Sequence, residues 1–337
     1  MKSLFFVSKP LEMLGAIEAR YQFKIDETIL VLKVEKGDEK TIDFLIEKSG
    51  NWKTIIRANS KSSYGLSWLK LTKKLNKETY KYLFTRAFSI ASYFVNNLNY
   101  EKLYLLDDGT ATIAIANQFQ KERNLTKQFS LFRGKNKKGF KYNLVEKIYS
   151  VNDVMVEKIV DKVHFFTYYD LSKFKNLKFV QNKFEWLNSL KKGEDSLEEN
   201  RVYLLGTNVV NGKVMLFEDY ISTLNRIGKH YQDKQIIYIP HGREKTEHLD
   251  FIQQIENFEI RKNKFNVELD FLLNNETPKY IAGTITTALI TLKLIYKNAI
   301  IDFFNFDDNT VFETKRKEVN DLYNYQKKYI NFKEIEY

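Results

Sequence analysis

The chain has 337 residues, 43% of them hydrophobic and 15% aromatic. That is ample material for packed cores but too long for one ordinary core, so two domains of about 150 residues each are expected. Lys and Arg number 54 against 43 Asp and Glu, a net charge of +11, which points to acidic partners: nucleic acid, anionic lipid or an anionic small molecule. The sequence holds no cysteine, which excludes disulfides, thiolate metal sites and thiol nucleophiles and favours a cytoplasmic location. No apolar stretch approaches the roughly 20 residues that span a bilayer, and the opening residues 1–8 are too short for a signal-peptide core.

Taken in order, residues 3–8 read as a first strand, with Pro10 suited to the first turn of a helix over 11–19. Strands are expected at 28–34 and 52–58, with a helix at 41–48 between them. The aromatic stretch 66–98 has a helical pattern and reads as two helices. Residues 103–106 form a short apolar strand, and 163–168 another. A helix is expected at 179–190, then a charged linker at 191–200 with almost no apolar content. A second series of strands follows at 202–205, 236–239, 280–282 and 299–304, separated by helical segments. This alternation predicts α/β architecture with parallel sheets. The expected division is an N-terminal domain 1–190, the linker, a C-terminal domain 201–314, and a helical segment 315–337 packing back on the first half. Two such halves suggest Rossmann-like domains facing a central cleft, the GT-B arrangement.

Three strand ends carry the chemistry. Leu103-Tyr104-Leu105-Leu106 runs into Asp107-Asp108-Gly109-Thr110, read either as a catalytic carboxylate pair or as ordinary turn residues. Ile236-Ile237-Tyr238-Ile239-Pro240 runs into His241-Gly242-Arg243-Glu244, where His241 can donate to a phosphate oxygen or serve structurally. Tyr280-Ile281-Ala282 runs into Gly283-Thr284-Ile285-Thr286-Thr287, which opens an apolar helix. Free backbone N–H groups and the hydroxyls of Thr284, Thr286 and Thr287 make it an anion site, with plain N-capping the alternative. Gly206, closing the run Val202-Tyr203-Leu204-Leu205, is a further candidate for binding the donor. The segment Arg133-Gly134-Lys135-Asn136-Lys137-Lys138-Gly139-Phe140-Lys141 is either an electrostatic funnel or a solvated loop. No P-loop or GxGxxG fingerprint occurs, which lowers ATPase and dinucleotide-enzyme readings.

Together these motifs resemble the bacterial sialyltransferases of glycosyltransferase family 52, the lipooligosaccharide sialyltransferase family. The bacterial enzymes share an Asp/Glu-Asp/Glu-Gly motif, a His-Pro motif and a Ser-rich motif, matched here by Asp107-Asp108-Gly109, His241-Gly242 and Thr286-Thr287. Val7-Ser8-Lys9-Pro10-Leu11-Glu12 is similar to the family's opening strand and turn. The resemblance implies an inverting transferase that uses CMP-sialic acid without a cofactor or a required metal. It implies that Asp107 or Asp108 is the base for the acceptor hydroxyl and that His241 serves the departing CMP phosphate. Thr286 and Thr287 would bind that phosphate, and Glu268 the ribose hydroxyls. Three departures stand out: Gly242 replaces proline, threonines replace serines, and Thr207-Asn208-Val209-Val210 lacks the aspartate that some members carry there.

The expected partners are a nucleotide-sugar donor and a glycan acceptor of the bacterial surface, lipooligosaccharide or capsule. Peripheral contact with an anionic membrane and a homodimer are further expectations. The alternatives are a transferase of the same fold using another nucleotide sugar, and a basic nucleic-acid-binding protein. The interspersed charges and the lack of a nucleic-acid motif speak against the second.

Overall fold

The computed structural model describes residues 1–58, 66–109, 111–123, 125, 129, 159–191, 197–329 and 333–335. Thr110, the basic segment 133–141 and residues 192–196 of the charged linker lie outside the described residues. The chain divides into two compact units, Met1–Trp186 and Leu187–Tyr337.

The first unit is built on seven strands: β1 Lys2–Val7, β2 Thr28–Leu32, β3 Thr54–Arg57, β4 Thr79–Thr85, β5 Asn99–Leu106, β6 Val163–Thr167 and β7 Phe179–Gln181. They run in the order β3-β2-β1-β4-β5-β6-β7, all parallel. Central strands of a parallel sheet are covered on both faces, so they read as continuous apolar runs. Accordingly Leu4, Phe5, Phe6 and Val7 of β1 are all fully buried. The core is aromatic: Phe5 stacks on Phe84 at 4.5 Å and meets Trp52 edge-on at 5.3 Å. Each such buried ring contributes about 1.5–3 kcal/mol through area removed from water. Pro10 opens the helix Pro10–Gln22 after an extended Lys9, as expected.

The stretch 66–98 departs from the two-helix expectation. A helix spans Leu66–Leu75, but the next element is β4, and only the short helix Ser92–Asn97 follows. Lys81 and Thr79 are exposed while Tyr80, Leu83 and Phe84 are buried. Alternation is confined to residues 79–81 and the end of the strand, Leu83 to Thr85, is buried throughout, so no sustained period-two signal appears. Similarly, 179–190 holds β7 and a short helix, Glu185–Ser189, rather than one helix.

The second unit has six strands: β8 Glu198–Leu205, β9 Gln235–Ile239, β10 Phe258–Ile260, β11 Pro278–Gly283, β12 Ile300–Phe304 and β13 Lys333–Ile335. Their order is β10-β9-β8-β11-β12-β13, again parallel. Glu198–Asn200, placed by sequence in the linker, begin β8. The segment beyond 314 contributes most of the helix Glu313–Tyr329 and the edge strand β13 to this unit. The helix Phe217–His230 buries Tyr220, Leu224 and Ile227, the i, i+4, i+7 stripe of an amphipathic helix.

In both sheets the strand order reverses at one point, between β1 and β4 and between β8 and β11. Both units are thus doubly wound domains of Rossmann type. Ligands of such sheets bind outside the carboxyl ends of the strands at the switch point.

Candidate active-site edges of the two sheets

In the first unit the switch-point edge is polar and charged. Glu12, in the first turn of Pro10–Gln22, is buried and accepts the Ser8 N–H at 2.7 Å and the Ser8 hydroxyl at 3.1 Å. Arg86, just past β4, pairs with Glu12 at 2.6 Å and with Asp108 at 2.8 Å, and its guanidinium lies over the Phe88 ring. Burial pushes the Glu12 carboxyl up to about 7, against the opposing pull of Arg86 and the Ser8 N–H.

The two adjacent aspartates part company. Asp107 is 6% exposed. Its Oδ1 accepts the Thr167 hydroxyl at 2.6 Å and its Oδ2 the Tyr168 N–H at 2.9 Å. It ties the end of β5 to the loop after β6, and burial pushes its pKa up to about 7. Asp108 keeps 30% of its side chain exposed beside Arg86, and its own N–H donates to the Thr112 hydroxyl at 3.0 Å. Gly109 adopts φ +58°, a left-handed turn conformation that glycine takes without strain.

In the second unit, β9, β8 and β11 are neighbours, so the loops bearing His241, Gly206 and Thr284–Thr287 share one edge. The Gly206 N–H donates to the Ile239 carbonyl at 2.8 Å, and the Thr207 hydroxyl to the Ile285 carbonyl at 3.0 Å. Thr284 is buried, and its hydroxyl has no protein partner. The same holds for Asn208 Oδ1 in the adjacent loop. Unsatisfied buried polar atoms are rare, and two of them flank this switch point. The Thr286 hydroxyl accepts the Ala288 N–H at 3.3 Å, capping Ala288–Ile295, while its carbonyl accepts from Gln326 at 3.2 Å. Thr287 is the residue that precedes that helix and makes no side-chain cap.

His241 is exposed in its loop. Its Nδ1 accepts the Arg243 N–H at 3.1 Å, so the neutral ring carries its proton on Nε2, facing outward as a donor. Desolvation by the surrounding loop, with the Arg243 charge, draws its pKa below the ordinary histidine value. Glu268 is buried on the helix Val267–Leu273, and its carboxylate accepts from the Thr291 hydroxyl and from Asn266 at 2.9 Å. It joins two helices, and burial raises its pKa.

Four residues without an assigned role in the sequence belong to these edges: Glu12, Arg86, Tyr238 and Glu244. Arg86 was hidden because β4 read as helix. Glu244 was legible only as a carboxylate three residues after a strand-end histidine. Among the described residues no three His, Asp or Glu side chains group as metal ligands, and no helix is long and apolar enough to cross a membrane.

Two Rossmann-type domains with ligand-facing strand ends define the GT-B class of α/β proteins. The model of glycosyltransferase family 52 matches residues 35–261, more than half of the chain, and the protein belongs to this family; it is a glycosyltransferase. The matched span includes Asp107, Asp108, Gly206 and His241 but ends before Glu268 and the threonine turn. No curated protein matches the chain. A solved structure from Listeria monocytogenes, described as a UDP-N-acetylglucosamine 2-epimerase, is similar at 12% identity and TM-score 0.50, covering 98% of this chain and 91% of that one. The UDP-GlcNAc 2-epimerase of Methanocaldococcus jannaschii gives 14% identity and 0.49, covering 96% and 92%. The spinosyn forosaminyltransferase SpnP gives 13% and 0.48, covering 92% and 82%. At these identities the likeness concerns the fold alone.

Proposed function

We propose that the protein transfers a sialic acid from CMP-sialic acid to a hydroxyl of a bacterial surface glycan, lipooligosaccharide or capsule, with inversion and without a metal. The observation that carries this reading is the His241 ring. It is outward-facing, with its Nδ1 occupied and its Nε2–H free to donate, at the end of a strand in a family 52 chain. Single displacement divides the work between a base for the acceptor and a partner for the leaving phosphate. Asp108 is the accessible carboxylate of its pair and is assigned the base; Asp107 is assigned to holding the loop.

In this mechanism Asp108 takes the acceptor proton, the acceptor oxygen bonds to the anomeric carbon, and the carbon–phosphate oxygen bond breaks with its electrons leaving on CMP. His241 Nε2–H donates to the phosphate oxygen as that charge develops. Thr284, Thr286 and Thr287 supply hydroxyl and backbone donors to the same phosphate. Thr284 is favoured because its buried hydroxyl has no other partner. Glu268 is assigned a supporting role behind this turn, since both its oxygens are engaged.

The test pairs binding with turnover. CMP should raise the melting temperature of the protein while UDP and GDP do not. Asp108→Ala and His241→Ala should each lower transfer from CMP-N-acetylneuraminic acid by about a hundredfold or more without lowering that temperature. Near-normal transfer by both variants refutes the mechanism, and stabilisation by UDP in place of CMP refutes the donor.

A further inference from the structure

The turn that carries His241 is closed twice. Its backbone makes one bond, Glu244 N–H to the His241 carbonyl at 2.8 Å. The Glu244 side chain makes the reciprocal one, accepting the His241 N–H on Oε2 at 2.6 Å. Its other oxygen accepts the Tyr238 hydroxyl at 2.6 Å. Tyr238 is fully buried in β9, and its hydroxyl lies 2.9 Å from that of Tyr220, which is also buried. Tyr220 in turn accepts the Thr207 N–H at 3.4 Å. Burial raises both tyrosine pKa values, so both hydroxyls stay protonated and the chain of donors runs one way, from the β8 loop to the carboxylate.

A carboxylate fixed at one oxygen by a buried tyrosine can hold a backbone N–H in one place with its other oxygen. The residue so held is His241. Gly242 contributes no restraint, as the space around its Cα is open and its φ is not positive. Glu244 thus ties the turn to β9, alongside the backbone bond and the Asn211 side chain, which donates to the Arg243 carbonyl.

We propose that Glu244, anchored by Tyr238 and Tyr220, is the positioning residue that fixes the His241 ring with Nε2–H outward for the leaving phosphate. This rests on the role given to His241 above. Glu244 does not itself touch the donor; it acts through the turn. The restraint removes the ring's freedom before the reaction, so that the hydrogen bond forms without reorganisation.

The experiment uses the full chain and the variants Glu244→Ala, Glu244→Gln, Tyr238→Phe, His241→Ala and the double variant Glu244→Ala/His241→Ala. The first measurement needs no substrate: ring nitrogen shifts by NMR, with His241 assigned by its loss in His241→Ala from the four histidines. The native protein should show the single Nε2–H tautomer, and Glu244→Ala a mixture of the two. The second is transfer from CMP-N-acetylneuraminic acid. Glu244→Ala should lower kcat roughly tenfold or more. Glu244→Gln should recover part of this, because its amide oxygen still accepts the His241 N–H. Tyr238→Phe keeps the buried ring and guards against simple unfolding; it should shift kcat in the same direction.

The double variant should be no slower than His241→Ala alone, since a residue acting through another adds nothing once that residue is gone. An unchanged tautomer and kcat in Glu244→Ala overturn the proposal. So does a double variant slower than His241→Ala by the full Glu244→Ala factor. Absence of any transfer by the native protein would instead strike the donor assignment, and the tautomer measurement would still decide the positioning role.

Discussion

Gly206→Ala tests the packing beneath the His241 turn. A Cβ at this position would lie 2.6 Å from Glu244 Oε2, 2.6 Å from the Tyr238 hydroxyl and 2.9 Å from Tyr238 Cζ. These distances are well inside van der Waals contact. Tyr238 has no exposed surface and cannot swing aside. The strand cannot retreat, because Gly206 is bonded through its N–H to Ile239 and its neighbour Leu205 pairs with Gly283. The group that gives way is the Glu244 carboxylate, which then loses its bonds to Tyr238 and His241. Overpacking costs about 1–3 kcal/mol, and each lost hydrogen bond about 1 kcal/mol. The two effects overlap, so a total of about 2–4 kcal/mol is expected. By calorimetry the melting transition of the second unit should fall by about 5–15 °C. Transfer should fall with it, since the turn is released. Gly242→Ala, where a Cβ meets nothing within 4 Å, is the control and should change stability by less than about 0.5 kcal/mol. A Gly206→Ala protein that melts with the native one and turns over normally would refute the reasoning.

Asp107→Ala should destabilise the first unit by about 2–4 kcal/mol, because it strands the buried Thr167 hydroxyl and Tyr168 N–H as donors. Asp108→Asn should leave the melting temperature in place and remove transfer. Reversal of these two outcomes in paired melting and rate measurements would exchange their roles. Thr284→Val removes a hydroxyl that has no protein partner, so stability should hold or rise slightly while CMP binding by calorimetry weakens; unchanged CMP affinity contradicts a phosphate contact. Glu12, Asp107 and Glu244 each titrate at about 7 in the folded chain, above their unfolded values. The native state thus holds protons that the unfolded chain has released, and their stabilising effect, present below about pH 4, is lost as pH rises through 7. For Asp107 the effect is of the order of 4 kcal/mol. Denaturant titrations from pH 4 to 8 should show a steeper loss of stability for the native protein than for Asp107→Asn, and equal slopes would contradict it.

The sheets were legible because parallel central strands bury both faces, which leaves runs such as Leu4 to Val7 and Ile236 to Ile239 in the sequence. β4 was not, because exposed Thr79 and Lys81 break its apolar run, although the strand pairs with β1 and β5 along its length. The cost of missing β4 was Arg86, and with it the partner of Asp108. The choice between Asp107 and Asp108 was not readable either. Successive residues at a strand end point to opposite sides, and which side faces β6 is decided by a pairing some 60 residues away, with Thr167. Glu268 shows the same limit from the other direction. A glutamate opening a helix looks available in sequence, yet Thr291, on the helix Ala288–Ile295, occupies it. Nor did the sequence show that the Glu244–Tyr238 pair lies against Gly206.

The same device recurs at three strand ends. Ser8 after β1, Tyr168 after β6 and His241 after β9 each give their backbone N–H to a buried or half-buried carboxylate, respectively Glu12, Asp107 and Glu244. Loops at the carboxyl edge of a parallel sheet lack ladder partners, and each N–H left unpaired would cost free energy. A carboxylate accepts such a donor more strongly when ionised, while burial disfavours that charge. Burial outweighs the hydrogen bonds, which is why all three groups are pushed up to about 7 rather than titrating at the ordinary carboxylate value. The consequence is an opposition between global and local order. Acidity favours the folded state because it spares the buried charges, whereas the ionised form grips the loops more firmly. For the His241 turn the second effect matters more, since its Nε2–H is useful only while the ring is held, and Glu244 holds it best as a carboxylate.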